Sequence, residues 1–238
     1  MTPPEPGHPS ASTQADERGA ALALLPIAAT LDYYALPDWL QEHTLIQFAP
    51  QLIAYLAFIV WASLNGSIIA RLGLETQRAA RGVKIGIITG LVLGGLNALV
   101  ILRLVPSLGY DIAFLKHTPH AQLSMLVMVP WFIAGIALFV ELNFRGFLLG
   151  RLVTLESSIW HRPWLRSRSP AALLTSALVF SFDPFMVHTF QYLHWIAVGD
   201  GLIWGFIWLR TGNLYATIVA HAVEVILVYS AVRSALIS

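Results

Sequence analysis

The chain has no cysteine among its 238 residues, which excludes disulfide frameworks, thiolate nucleophiles and cysteine-bound zinc and leaves the redox compartment open. Charge is scarce as well. Only 11% of residues are charged and 57% are hydrophobic, whereas an ordinary soluble domain carries roughly 25% charged residues. A soluble fold of this length must still cover its surface, and this composition leaves too little polar material to do so. The solvent it suits is lipid. The net charge of +1 and the absence of a basic tract give no reason to invoke nucleic acid. Neither a glycine-rich phosphate loop nor a Gly-x-Ser-x-Gly elbow occurs, so no cofactor is expected.

What the chain does contain is apolar runs. A spanning helix needs about 20 mostly apolar residues, and Leu45–Leu72, Gly82–Val105, Leu123–Arg145, Pro170–Phe190, Tyr192–Leu209 and Leu214–Leu236 qualify. A seventh run, Ala20–Leu36, holds Pro26 and ends in Asp32-Tyr33-Tyr34; it either spans or lies along the interface, and spanning is favoured. The expected fold is therefore all-α, a polytopic transmembrane bundle of six to eight spans with seven as the best count. Residues 1–18, rich in proline and polar residues, read as a disordered cytoplasmic tail without the features of a secretory signal. Residues 19–238 read as a single transmembrane domain.

Arginine and lysine suggest an orientation. Arg71, Arg78, Arg81 and Lys84 follow one span, and Arg151, Arg162, Arg166 and Arg168 follow another, while the stretch between Pro106 and Gln122 holds only Lys116. Positive loops stay inside, so both arginine-rich loops are expected in the cytoplasm, with Trp160 and Trp164 as headgroup anchors. The expected location is the cell (inner) membrane, with the N-terminus cytoplasmic. Gly82, Gly86, Gly90 and Gly94 repeat along one helix face, as do Gly201 and Gly205; such stripes let helix backbones approach closely in lipid.

Ionisable residues are expensive inside a membrane, about 2.5–3.5 kcal/mol each at a helix centre on insertion scales. Most of those present fall late in the chain: Glu141, Arg145, Asp183, His188, His194, Asp200, His221 and Glu224. That asymmetry points to a site built from the last helices. The plainer readings are that Glu141 and Arg145, one turn apart, neutralise each other, and that His221 is a hydrogen-bonded core histidine. His188 and His194 point about 240° apart on a continuous helix. No close His–carboxylate spacing suggests a metal.

Two segments add a resemblance. Val140-Glu141-Leu142-Asn143-Phe144-Arg145-Gly146-Phe147-Leu148 resembles the first motif of the CAAX protease and bacteriocin-processing family, in which Glu-Glu-x-x-x-Arg precedes Gly-Phe-Leu. Residues Gly201 to His221 resemble its last motif, a glycine-ribbed helix that turns at Thr211-Gly212 and re-enters with a histidine. Leu72-Gly73-Leu74 ahead of a glycine-rich helix is also similar. The family-like core is placed at residues 123–236.

The resemblance implies a helical intramembrane endopeptidase that cleaves membrane-associated peptides or proteins, with the lipid bilayer as its other partner. A carboxylate activates water, and fixed donors in an apolar cavity are worth more than in water. Glu141, Arg145, His188 and His221 are the implied catalytic residues, with Asp183 and Glu224 as compensating carboxylates. Compensation is needed because Val140, Pro184 and Val225 stand where the family pattern has Glu, His, and Asn or Asp. A bend at Pro184 would bring His188 back toward the site. Two other readings stay open: a non-catalytic relative that binds a membrane partner, and an unrelated transporter-like bundle with a charged pathway.

Overall fold

The computed structural model describes residues 17–160 and 169–236. Most of the expected tail lies outside these residues, as do Arg162, Trp164, Arg166, Arg168 and the side chain of Trp160. Every regular element among the described residues is helical. The principal helices are α1 (Leu24–Ala35), α2 (Ala49–Leu64), α3 (Ile68–Leu72), α4 (Ala79–Leu99), α5 (Met125–Ile159), α6 (Pro170–Ser181), α7 (Pro184–Phe190), α8 (His194–Thr211) and α9 (Leu214–Leu236).

Four stretches, Ile68–Ser107, Met125–Ile159, Pro184–Thr211 and Leu214–Leu236, are long and apolar enough to cross a membrane. Three shorter apolar helices, Ala20–Ala35, Ala49–Leu64 and Pro170–Ser181, accompany them. Large apolar side chains face outward along these helices, Leu126 being 89% exposed and Leu91 53% exposed. An exposed apolar surface of this extent is what lipid requires.

Helix ends follow local chemistry. α1 stops where Leu36 turns extended ahead of Pro37, because a residue before proline is pushed out of the helical region. The expected span Leu45–Leu72 breaks at Asn65-Gly66-Ser67, where Ser67 adopts φ 54°. Arg71 consequently lies in α3, and it is buried rather than part of a loop. The span expected to end at Arg145 continues to Ile159, so Arg151 is helical and buried too. Two π-helical stretches interrupt α5, Trp131–Ala137 and Leu142–Leu149. The first begins just after Pro130, which has no N–H to give the regular ladder.

The expected spans Pro170–Phe190 and Tyr192–Leu209 are divided at a different point. α6 ends at Ser181, and Asp183 caps α7 by accepting from Phe185 N at 3.0 Å. Pro184 is the first residue of that helix, a position where its missing N–H costs nothing. It opens a new helix and does not bend an existing one. Gly212, at φ 56°, closes α8 in the left-handed conformation that glycine tolerates best.

The chain falls into two compact units, Met1–Thr76 with Leu142–Leu214 and Gln77–Glu141 with Tyr215–Ser238. In the first, α6 packs along α8 through the expected glycine stripe. A methyl group added at Gly201 would stand 3.1 Å from Ala177, and one at Gly205 would stand 2.4 Å from Leu173 Cδ1. Phe58, Trp61 and Phe147 form one aromatic cluster of this unit, and Phe144, Phe180 and Trp204 another.

In the second unit the stripe on α4 lies against α9. A methyl at Gly86 would be 2.6 Å from Val219 Cβ, and one at Gly90 would be 2.6 Å from the Ala220 carbonyl oxygen. Met128, Phe132, Ala137, Ala216 and Ala220 fill this core, with the Phe132 and Tyr229 rings 5.1 Å apart.

The end of the expected tail is also packed. Glu17 and Arg18 are anchored in the first unit, Glu17 by buried arginines and Arg18 by Asn65. Two guanidiniums taken out of water need an anion, and Glu17 supplies it.

Candidate active site

The close approach of α4 and α9 determines which polar side chains meet in the second unit. His221 and Glu224 are one turn apart on α9 and share a face. Glu141, on α5, is fully buried, and its Oε1 lies 3.0 Å from His221 Nδ1. Asn97, near the end of α4, donates from Nδ2 to Glu224 Oε1 at 2.7 Å. Two buried carboxylates are thus each matched by a nitrogen, one from an imidazole and one from an amide. Burial of a charged group costs several kcal/mol unless it is paired and hydrogen-bonded, and the two contacts supply that pairing.

The remaining expected site residues belong to the first unit. Arg145 is 1% exposed, and its guanidinium carbon lies 4.6 Å from the centre of the Phe180 ring and 5.1 Å from that of Trp204. Arginine is well suited to this setting, because its flat, weakly hydrated cation is attracted by ring faces. Arg145 sits in the π-helical stretch of α5, and Ser176 Oγ from α6 donates to the Phe144 carbonyl beside it at 2.9 Å. Such wide turns recur at functional positions in other proteins.

Asp183 is buried and accepts from Gln51 Nε2 at 2.9 Å as well as from Phe185 N. Together with Asn143, Thr30 and Gln51 it lines a cavity of ≈ 10 Å³, about the room one water needs. His188 is exposed and lines an open pocket with Tyr33, Tyr34, Asp38 and Glu42.

Of the residues expected in the site, Glu141 and His221 therefore touch each other. Glu224 is held by Asn97, Asp183 by Gln51, and Arg145 by two aromatic rings. Asn97 and Gln51 were not expected. Both are uncharged residues within apolar spans, and only the paired carboxylate reveals them.

The fold and these contacts define a class, a helical membrane protein with a buried carboxylate–imidazole pair. Within that class, residues 121–227 match the family model described as type II CAAX prenyl endopeptidase Rce1-like. This part of the chain is similar to the CAAX-protease type that its two motifs resemble, and it carries Glu141, Arg145, His221 and Glu224. The family is one of membrane proteases, and the chain is an integral membrane protein. No curated protein and no solved structure matches it.

Proposed function

We propose that the protein is an intramembrane endopeptidase that hydrolyses membrane-associated peptides or proteins, with Glu141 and His221 at its centre. The observation that carries the reading is the 3.0 Å contact between these two buried side chains. Glu141 takes a proton from water as the water oxygen attacks the carbonyl carbon of the scissile peptide. His221 stabilises the oxyanion that forms by donating a ring N–H to it. The proton then passes to the amide nitrogen as the C–N bond breaks, and the two peptide ends leave.

Asn97 and Glu224 form the second polar pair of the same unit. Asn97 brings an amide to the residue next to Val225, where the family pattern has its own Asn or Asp. Arg145 corresponds to the family's arginine and lies over the Phe180 and Trp204 rings. In this reading the bundle lies in the cell membrane with its N-terminus in the cytoplasm, supported by Arg78, Arg81 and Lys84 following one apolar run while the stretch between Pro106 and Gln122 holds Lys116 as its one lysine or arginine.

The test is cleavage by protein purified in detergent, offered candidate membrane peptides. Wild type cleaves, and Glu141→Ala and His221→Ala both lose the activity. Cleavage that persists in Glu141→Ala overturns the reading.

A second reading rests on Val140, Pro184 and Val225, which replace three of the family's polar residues. It makes the protein a non-catalytic scaffold that binds membrane peptides, and it predicts binding without cleavage, unchanged in both variants.

A further inference from the structure

One set of contacts in the first unit takes no part in this chemistry. Glu17 reaches into a niche made by three helices and the turn after α2. Its Oε1 accepts from Trp61 Nε1 at 3.0 Å and pairs with Arg151 Nε. Its Oε2 lies 3.5 Å from Arg71 Nη1 and 3.3 Å from the Thr154 hydroxyl. Each carboxylate oxygen thus faces two donors, an arrangement that fits a planar two-oxygen anion.

The niche also reads the backbone. Asn65 accepts from Arg18 N at 2.9 Å through Oδ1 and donates to the Arg18 carbonyl at 2.8 Å through Nδ2. A side-chain amide that answers both polar groups of one residue recognises extended peptide irrespective of its side chain. Arg18's own side chain is not needed for this, and the residue is exposed.

We propose that this niche is a binding site for an acidic peptide segment, a Glu followed by any residue, and that Glu17-Arg18 occupies it in cis. The donors come from α2, α3, α5 and the turn at Asn65, whereas the occupant comes from irregular backbone ahead of the first helix. Both arginines also have contacts that do not involve Glu17. Arg151 stacks over Trp61 with its guanidinium carbon 4.0 Å from the ring centre, and Arg71 Nε is fixed on the Gly66 carbonyl at 2.9 Å. Two guanidiniums facing one carboxylate favour a negatively charged occupant. The site involves neither Glu141 nor His221 and stands independently of the protease reading.

The test uses full-length protein in detergent and a fluorescent synthetic peptide with the sequence of residues 13–20. A second peptide carries Gln in place of its Glu. An internal occupant lowers apparent affinity by the fraction of time the niche is filled, so Glu17→Ala protein should bind the acidic peptide at least about tenfold more tightly than wild type does. The Gln peptide should lose that gain, as should Glu17→Ala protein that also carries Arg151→Gln. Equal binding of the two peptides overturns the proposal, and so does absence of binding to folded Glu17→Ala protein. If Glu17→Ala and the isosteric Glu17→Gln both fail to fold, the proposal also falls, because Glu17 is then a fixed part of the fold. Peptide binding without any peptidase activity would retain this site and count against the protease reading. Cleavage by Glu17→Ala protein that binds neither peptide at the niche would do the reverse.

Discussion

His221 Nδ1 lies 3.0 Å from Glu141 Oε1, and both side chains are buried, so one carboxylate and one imidazole satisfy each other away from water. Removing one partner of such a buried pair typically costs about 3–5 kcal/mol. Replacing both with apolar residues removes the two polar groups along with their attraction. Glu141→Leu and His221→Leu should therefore each lower stability by about 3–5 kcal/mol in detergent denaturation, and the double variant should recover most of that loss. Additive losses would mean that the two side chains do not act as a pair.

Glu141→Gln separates folding from chemistry. It keeps the volume and a hydrogen-bonding end but cannot accept a proton from water. Peptidase activity should fall by about 10²–10⁴-fold, the usual contribution of a general base. The stability loss should be smaller than for Glu141→Leu. A Gln variant that keeps its activity would remove Glu141 from the proton path.

The Asn97–Glu224 contact gives a second test in the same unit. Asn97→Ala leaves Glu224 Oε1 without the 2.7 Å donor, and loss of a partner to a buried acceptor costs about 1–3 kcal/mol, more when it is charged. Asn97→Asp should be worse, since it sets one carboxylate against another. Thermal unfolding of the variants in one detergent checks the order, wild type above Ala above Asp. A neutral Asn97→Ala would show that the amide is dispensable.

The order in which these residues could be recognised has a physical basis. Glu141, His221 and Glu224 stand out in the sequence because a titratable group in an apolar run is expensive, and two motif resemblances put Glu141 and His221 in one candidate set. Asn97 does not stand out, because an uncharged amide in a glycine-rich span costs far less and carries no motif. Arg71 and Arg151 read as loop charges because hydropathy places a span's end only roughly, and both lie within helices. Glu17 reads as tail because it follows a proline-rich, polar stretch, and nothing local shows that two buried guanidiniums await it. Pro184 reads as a kink within one span, yet with Asp183 as a cap it begins a new helix. The helical class and the glycine stripes follow from composition and periodicity. Pairings between distant segments do not.

Arg145 tests the value of a flat cation in an aromatic setting. Its guanidinium carbon lies 4.6 Å from the Phe180 ring centre and 5.1 Å from that of Trp204. Lysine keeps the charge but concentrates it in a strongly hydrated ammonium that cannot stack. Arg145→Lys should cost about 1–2 kcal/mol, the range for a desolvated cation on ring faces. Phe180→Leu should remove part of the same energy, so that the double variant is less harmful than the sum. Denaturation of the four proteins measures the coupling, and strict additivity would mean that the ring contributes nothing to holding the arginine.

The glycines of α4 offer a test in which two neighbouring positions change stability in opposite directions. A methyl at Gly90 would come within 2.6 Å of the Ala220 carbonyl oxygen and 2.7 Å of Val223 Cβ, whereas one at Gly95 would meet nothing within 4 Å. Gly90→Ala must push α4 and α9 apart, and overpacking of this kind costs about 1–3 kcal/mol. Gly95→Ala meets no obstacle and gains up to about 1 kcal/mol from the higher helix propensity of alanine. Because α9 carries His221 and Glu224, the displacement caused by Gly90→Ala should also reduce any peptidase activity, while Gly95→Ala should leave it intact. Thermal unfolding and cleavage assays on the two variants check both halves. Equal behaviour of the two would show that the stripe does not set the distance between these helices.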